Sequence, residues 1–306
     1  ARDAGLVWHV KMTNMKDNDL LHRFLFENTD VRGNAVHLSD TIQQALQHTD
    51  YPPVLHKALS ELIAAAALLT ATVKLDQGTL SFQIQGQGPL NLLVVECNAA
   101  LRMRATAKWQ GDLHGLGFKD LIGNGHFAIT LDPRDGGQTY QGIVEVIGDN
   151  IAQILETYMQ QSAQLETRIW LSSNPHQAAG LLLQKLPQQQ TEDQDSWQRT
   201  TMLADTVQAD ELLQLDTNTL LRRLFHEENV RLFDPSPVAF ECRCSHQSVS
   251  NMLRLLGREE IDSIIQEQGS ISVNCDFCNA AYVFDPIDAS QLFVNEMPNS
   301  SSKSLH

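Results

Sequence analysis

The spacing of apolar and polar residues predicts alternating strands and helices between about residue 20 and residue 186. Residues 80–85 alternate apolar with polar side chains, which is typical of a strand with one buried face. Residues 90–96 form a continuous apolar run of the kind that is buried on both faces. Further strands are predicted at residues 101–109, 127–131, 140–146, 168–171 and 180–183.

Helical patterns interrupt these strands. The dipeptide Ser39-Asp40 offers N-caps for a helix over residues 42–46. Pro53 opens a long, alanine-rich helix that is predicted to end near Lys74, and residues 150–161 carry an apolar stripe at helical spacing. These elements predict an α+β fold on a mostly antiparallel sheet.

Composition changes abruptly at Gln188. Residues 188–195 are polar and acidic without apolar anchors, which predicts an exposed linker. Two or three short helices are predicted after it, around residues 197–207, 211–215 and 217–225. Helices of this length are marginal in water, so they must take stability from neighbouring surfaces.

The last segment of the chain predicts a small module that contains four of the five cysteines. Ser248 or Ser250 is predicted to cap a helix that ends at Gly257, and a second helix is predicted to end at Gly269. Two short strands, residues 271–273 and 281–284, would flank the sequence Cys-Asp-Phe-Cys as a hairpin.

The predicted fold class is therefore α+β: an N-terminal antiparallel sheet domain with helices, a short helical linker, and a small C-terminal domain of helices plus a hairpin. The predicted boundaries are a tag remnant at 1–14, the α+β core at 15–187, the polar and helical linker at 188–240, the four-cysteine domain at 241–295 and a disordered tail at 296–306.

Length and charge restrict the partners. A chain of 306 residues with 42% hydrophobic content can bury one large core and one small one. A net charge of -15 argues against general affinity for nucleic-acid phosphates or anionic membranes. The longest apolar stretch, residues 62–73, is shorter than the ~20 residues that a membrane span needs. With no secretory signal, we expect a cytoplasmic protein.

The four cysteines of the small domain follow a metal-site pattern. Cys242 and Cys244 form C-x-C, a gap of 30 residues follows, and Cys275 and Cys278 form C-x-x-C. Two such pairs can close a tetrahedral sulfur site around one Zn²⁺ per chain. The same pairs could also close as two disulfides. Four free structural cysteines are disfavoured, because soft thiols would lie beside polar loops for no gain.

Two other candidates near or outside the pattern are less specific. His246 lies two residues after Cys244 and could replace a cysteine as ligand, but with four sulfurs available a surface histidine is favoured. Cys97 lies in an apolar strand and is predicted to be a buried small hydrophobic residue.

The charge balance of the small domain argues against DNA binding, which is the commonest role of such zinc sites. Between residues 242 and 295 there are three basic side chains against seven acidic ones (Arg243, Arg254 and Arg258 against Glu259, Glu260, Asp262, Glu267, Asp276, Asp285 and Asp288). A surface for nucleic-acid phosphates cannot be built from that balance. No nucleic-acid or membrane partner is expected.

The C-x-C half favours a redox role. Two thiolates so close together can oxidise to a tight, readily reversible disulfide once a metal leaves. Oxidation would eject the ion, and the folding free energy it supplies, on the order of 10 kcal/mol for a structural site, would be lost with it. We expect the small domain to unfold, the linker helices to lose the surface on which they lean, and their apolar stripes to become exposed.

Enzymatic alternatives have weaker support. A dithiol oxidoreductase places C-x-x-C at the start of a helix, whereas Cys275 and Cys278 are predicted to lie in a hairpin with an acidic residue between them. Serine-hydrolase, zinc-protease and nucleotide-binding motifs are missing from the sequence, so no catalytic residues are assigned.

Taken together, the motifs resemble the heat shock protein 33 family, the redox-regulated holdase chaperones of the bacterial cytoplasm. The resemblance covers residues 20–293 and is most specific in C-R-C-S-H at 242–246, L-L-G at 255–257 and V-N-C-D-F-C-N-A-A-Y-V-F-D at 273–285. Weaker support comes from T-D-V-R-G at 29–33 and L-Q-K-L-P at 183–187.

The resemblance implies an ATP-independent chaperone that is inactive when reduced and zinc-bound. The implied zinc ligands are Cys242, Cys244, Cys275 and Cys278, and the implied disulfides join Cys242 with Cys244 and Cys275 with Cys278. It also implies a homodimer in the active form. The alternative left open is a zinc-stapled interaction protein without a redox role.

The linker helices supply candidate contacts for unfolding client proteins, because apolar stripes interleaved with charge can capture such chains and stay soluble. Plain interdomain packing would give the same stripes. The candidate client-binding residues are Leu212, Leu213, Leu215, Leu220, Leu221, Leu224 and Phe225.

Overall fold

A computed structural model describes residues 18–73, 75, 77–133, 137–187, 193 and 195–293. The predicted tag remnant, most of the acidic stretch at 188–195 and the predicted tail lie outside these residues. The chain divides into two compact units between Glu241 and Cys242.

The first unit contains two sheets and the helices that pack on them. Its strands are β1 (Leu20–Phe26), β2 (Val31–Leu38), β3 (Thr79–Gly86), β4 (Leu90–Asn98), β5 (Arg102–Trp109), β6 (Gly125–Asp132), β7 (Tyr140–Glu145), β8 (Thr167–Asn174), β9 (Gln177–Lys185), β10 (Val230–Leu232), β11 (Ser236–Pro237) and β12 (Ala239–Phe240). Its helices are α1 (Asp40–Leu46), α2 (Pro53–Thr70), α3 (Phe118–Ile122), α4 (Ile151–Gln161), α5 (Ser196–Ala204), α6 (Ala209–Gln214) and α7 (Thr217–Phe225).

Sheet A has the order β10-β1-β2-β9-β8, with β11 also paired to β1. Sheet B has the order β12-β5-β4-β3-β6-β7. Within the described residues the strand pairs of both sheets are antiparallel, except for the short parallel pair of β12 with β5. The α+β class and the mostly antiparallel pairing are confirmed, although the strands form two sheets where one was predicted.

Helix α2 lies between the two sheets. It packs against β2, β8 and β9 of sheet A and against β4 and β5 of sheet B. By length and composition α2 could cross a membrane, but 78% of it is buried inside the protein, which is the position of a core helix. The predicted start at Pro53 is confirmed, whereas the helix ends at Thr70, after which the backbone N–H groups of Thr72 and Val73 bond to carbonyls three residues back.

The start of the chain differs from the sequence-based expectation. No separate strands were assigned to the segments that form β1 and β2, yet β2 is central in sheet A. Ser39 precedes α1 but its side chain makes no cap bond. The carboxylate of Asp19 instead accepts the backbone N–H groups of Asp40 at 3.0 Å and Thr41 at 2.8 Å.

Helices α5, α6 and α7 pack on one face of sheet A. Phe225 of α7 meets Phe24 and Phe26 of β1, with its ring 5.0 Å from that of Phe26 in an edge-to-face arrangement. Sheet A completes the apolar cluster around these helices. We call the three helices, residues 196–225, the covering segment.

The second unit is small. It consists of α8 (His246–Leu256), α9 (Arg258–Gln268), the hairpin of β13 (Ile271–Asn274) and β14 (Ala281–Phe284), and α10 (Pro286–Gln291). Its buried apolar residues are Val249, Leu253, Ile261, Ile271, Phe284, Ala289, Leu292 and Phe293. The prediction that Ser248 or Ser250 caps the first helix was wrong: Ser245 is the N-cap, and its hydroxyl accepts the N–H of Ser248 at 3.1 Å.

Candidate metal centre

The hairpin supplies one half of the centre. Cys275 follows β13 directly, and its N–H donates to the carbonyl of Ala280 at 2.9 Å. The N–H of Asn279 returns to the carbonyl of Cys275 at 2.8 Å. Asn279 has a φ of 55°, in the left-handed region that asparagine tolerates better than most residues. This tight turn brings Cys275 and Cys278 to the same side of the loop.

The C-x-C half precedes α8. Cys242 and Cys244 lie in a segment without regular secondary structure between β12 and α8. Because Ser245 fixes the first turn of α8, Cys244 is held at the entrance to a helix whose apolar stripe packs in the core of the unit. Local structure therefore anchors both halves.

The four sulfurs lie together. All four Sγ atoms are within 4.8 Å of one another. Cys242 is 3.7 Å from Cys275, and Cys244 is 3.3 Å from Cys278. Tetrahedral zinc–sulfur bonds of about 2.3 Å require sulfur–sulfur distances of about 3.8 Å, so the observed set needs little adjustment. Four thiolate donors in this arrangement could hold one Zn²⁺.

The protonation of the sulfurs is uneven. Burial alone would raise the pKa of Cys244, but hydrogen bonds from Tyr282 and from the other thiols lower it to about 7. Burial, and then hydrogen bonds with its neighbours, raises the pKa of Cys278 to about 12, and burial raises that of Cys242. Cys244 therefore loses its proton most readily of these thiols. Repulsion between thiolates disfavours further deprotonation unless a cation binds to the cluster.

Tyr282 is a member of the site that sequence reasoning missed. It lies in β14, and its hydroxyl donates a hydrogen bond to Sγ of Cys244 at 3.1 Å. This bond raises the pKa of Tyr282 to about 12. The available signal was a polar-tipped aromatic residue four positions after Cys278, but β14 was considered only as a strand.

The remaining candidates lie apart from the sulfurs. His246 is exposed, and its ring stacks on Phe284 with the centroids 4.4 Å apart. Among the described residues the grouped metal ligands are the four cysteines alone. Cys97 is buried in β4 as predicted, and burial raises its pKa to about 12.

The comparison with known families decides the relationship of the chain. The model of the Hsp33 protein family matches residues 19–285, which includes both sheets and all four cysteines. The chain belongs to the heat shock protein 33 family. This membership supports a chaperone role.

Relatives within the heat shock protein 33 family extend over nearly the whole chain. A 33 kDa chaperonin of Methylobacillus flagellatus is 58% identical over 92% of this chain and 97% of its own length. One of Chromobacterium violaceum is 47% identical over 96% of this chain and 100% of its own. The crystal structure of a heat shock protein 33 homologue of Thermotoga maritima has a TM-score of 0.79 at 19% identity, covering 91% and 99% of the two chains, which shows the fold alone.

In this member of the family the candidate client-binding residues are covered. Leu212, Leu220, Leu221, Leu224 and Phe225 are buried, and Leu213 and Leu215 are partly buried. They pack on sheet A against residues that include Phe24, Phe26 and Leu181. While the covering segment stays in place, the buried side chains of its helices and this face of sheet A are inaccessible.

Proposed function

We propose that the protein is a redox-regulated, ATP-independent holdase of the cytoplasm, inactive when reduced and zinc-bound. The observation that carries the proposal is the four-sulfur cluster, which joins two segments of a unit that has few buried apolar residues of its own. A unit with so small a core depends on a cross-link or a metal for stability.

Cys242, Cys244, Cys275 and Cys278 are the proposed zinc ligands. When bound by these residues, zinc would supply a positive charge that keeps all four sulfurs deprotonated and restrains their reactivity. Cys242 and Cys244 would connect the ion to the segment before α8, and Cys275 and Cys278 would connect it to the hairpin. The ion would thus supply the stability that a larger apolar core would otherwise give. Loss of either pair leaves the two segments without this connection.

Oxidation by a peroxide is the proposed trigger. In each pair two thiolates give up two electrons and form one S–S bond, while one hydrogen peroxide takes those electrons and two protons and becomes two water molecules. We propose the pairs Cys242 with Cys244 and Cys275 with Cys278. Such bonds lie within each segment and leave the two segments unlinked, whereas bonds between the segments would keep the unit closed.

The proposed consequence is release of the covering segment. Phe240 of β12 is two residues before Cys242, so strands β10 to β12 form the chain connection from α7 to the cysteines. Once the second unit unfolds, these short strands end in a disordered chain and hold the covering segment less firmly. Its release would expose two apolar surfaces, the client-binding candidates on the helices and the face of sheet A beneath them.

Unfolding proteins are the proposed partners, and a homodimer is the proposed active form. A net charge of -15 would keep chaperone–client complexes apart in solution while the apolar surfaces are engaged.

A direct test combines zinc release with client aggregation. The zinc-loaded protein is treated with hydrogen peroxide at mildly raised temperature, and released zinc and light scattering of a heat-denatured client are followed together. We expect zinc to leave and scattering to be suppressed in parallel. Zinc release without suppression would contradict the chaperone, and retention of zinc would leave a zinc-stapled interaction protein.

Cysteine variants test whether the response to peroxide depends on the four-cysteine centre and not on Cys97, the buried cysteine of the first unit. Replacing Cys242 and Cys244 by serine removes two ligands, and we expect suppression of aggregation without oxidant. Cys97→Ala is the matched control, because Cys97 lies in β4 of the first unit; it should respond to peroxide as the wild type does.

The position of Cys275 and Cys278 in a hairpin turn, not at the start of a helix, disfavours a dithiol oxidoreductase.

A further inference from the structure

Tyr282 links the two halves of the metal centre through a contact that is not itself a metal bond. It lies on β14 opposite Val273 of β13, with a half-buried ring against the apolar core of the second unit. Its hydroxyl reaches Sγ of Cys244, 38 residues away in the chain, at 3.1 Å. The hairpin therefore holds a sulfur of the other segment as well as its own two.

We propose that Tyr282 is a positioning residue of the zinc centre, whose hydrogen bond holds the Cys244 sulfur in place and slows its attack on peroxide. The inference rests on the proposed function and names the residue that sets how readily the switch responds. A donor directed at a thiolate withdraws electron density from sulfur, and a sulfur with less electron density is a weaker nucleophile. Groups that orient metal ligands typically change metal affinity 10- to 100-fold when removed.

The step that Tyr282 restrains can be written out in full. The Cys244 thiolate attacks one oxygen of hydrogen peroxide, the O–O bond breaks, and a sulfenic acid and a hydroxide form; the hydroxide takes a proton and becomes water. The Cys242 thiolate then attacks the oxidised sulfur, forms the S–S bond and expels a second hydroxide, which is also protonated. Two electrons pass from the two sulfurs to the peroxide, and neither sulfur of the new disulfide would remain as a thiolate ligand for zinc.

Tyr282→Phe removes the hydroxyl and keeps the ring that packs in the core. Competition with a chromogenic chelator, without oxidant, measures zinc affinity, and we expect a loss of about 10-fold or more. Under peroxide we expect zinc release to be several-fold faster than in the wild type. Tyr140→Phe is the matched control, because Tyr140 is an exposed tyrosine in the first unit; it should behave as the wild type in both measurements.

Site-resolved alkylation of the zinc-loaded protein distinguishes positioning from general loosening. Loss of the hydrogen bond should accelerate modification of Cys244 relative to Cys275 and Cys278. A variant that is merely less stable, such as Val273→Ala opposite the tyrosine ring, should accelerate all of them alike. Uniform acceleration in Tyr282→Phe, or wild-type affinity and rates, would overturn the inference.

The two proposals fail in different ways. If the wild-type protein keeps its zinc under peroxide, the redox function is contradicted, while the chelator and alkylation measurements still decide the role of Tyr282. If the wild type releases zinc and Tyr282→Phe does so at the same rate with the same affinity, only the role of Tyr282 is contradicted.

Discussion

Glu61 carries a carboxyl group into the apolar layer around α2. The residue is 9% exposed, and Ala58, Leu62 and Ala65 of the same helix are buried beside it. Burial raises the pKa of Glu61 to about 7, against a smaller lowering by Lys57, whose Nζ lies 3.8 Å from the carboxylate. In the folded protein this side chain is therefore half-protonated near neutral pH.

Replacing Glu61 by glutamine should stabilise the first unit in a pH-dependent way. The folded state keeps the proton up to about pH 7, whereas the unfolded chain releases it near 4.5, so wild-type stability falls as pH rises between these values. The charged form costs on the order of 3 kcal/mol above that window. Urea unfolding should show Glu61→Gln more stable by roughly 1–3 kcal/mol at pH 8 and nearly equal to the wild type at pH 4.5. A difference that does not change with pH would contradict burial as the cause.

At the residue scale, the sequence predicted that the four cysteines group together, but not the contacts that support them. The cysteine spacing was sufficient to group four sulfurs, because metal-ligand patterns are short and local. The Asp19 cap and the Tyr282 hydrogen bond join residues 21 and 38 positions apart in the chain. Such contacts depend on how sheets and hairpins bring distant segments together. The periodicity of apolar residues carries no information about these long-range contacts.

Between elements, a polar contact accompanies the apolar packing of the covering segment. Asp205, at the end of α5, accepts hydrogen bonds from Arg168 at 2.8 Å and from the indole N–H of Trp170 at 3.1 Å. Both donors lie on β8, and Arg168 also pairs with Glu156 of α4. One carboxylate thus fastens the covering segment to sheet A and, through Arg168, to α4.

Asp205→Asn should loosen the covering segment. The groups are about half exposed, so solvent screening limits the loss to about 0.5–1 kcal/mol. Hydrogen exchange of α5 and α6 should be about two- to fivefold faster, with little change in the second unit. Asp149→Asn is the control, because Asp149 forms a 4.0 Å ion pair with Lys119 at the surface. Equal exchange in both variants would show that Asp205 does not fasten the segment.

Phe225→Ala tests the apolar part of the same attachment. The ring is fully buried between Phe24 and Phe26, and its loss leaves a cavity that costs about 3–5 kcal/mol. We expect binding of an apolar dye by the reduced, zinc-loaded variant, because sheet A is uncovered part of the time. Zinc retention by this variant would show that the second unit is intact. Absence of dye binding would mean that the remaining helices keep the face closed.

The sequence predicted the long periodic strands and helices well. It did not predict which surfaces the helices pack against. Strands β3 to β7 alternate clearly or are continuously apolar, and α2 has an unbroken apolar run after a proline. In β1 the sequence Leu-Leu-His-Arg-Phe-Leu-Phe shows no clean period, because both faces of that strand are covered. The covering helices were predicted from local pattern, but their apolar stripes fit any apolar surface, so sequence did not select sheet A.

At the scale of the whole molecule, the described tryptophans and the four cysteines of the candidate metal centre lie in different units. Of the four tryptophans in the sequence, Trp109, Trp170 and Trp197 lie among the described residues of the first unit, and residues 242–306 contain none. Trp170 and Trp197 pack against the cluster beneath the covering segment. Part of the tryptophan emission therefore comes from two rings at the covering segment, and far-UV circular dichroism includes the helices of the second unit.

Removal of the metal by a chelator should separate the two units in stability. The second unit would lose the ion that, as proposed, joins its segments, and should unfold, with loss of the helical signal from α8 and α9 and rapid proteolysis within residues 242–293. The first unit keeps a core that contains α2 and both sheets, so it should unfold only at higher denaturant. If unfolding of the second unit releases the covering segment as proposed, warming the chelated protein should change the tryptophan emission. At the same temperature the zinc-loaded protein should show no change. Unaltered emission together with a lost helical signal would mean that the covering segment stays on sheet A without the second unit, and that a further event must release it.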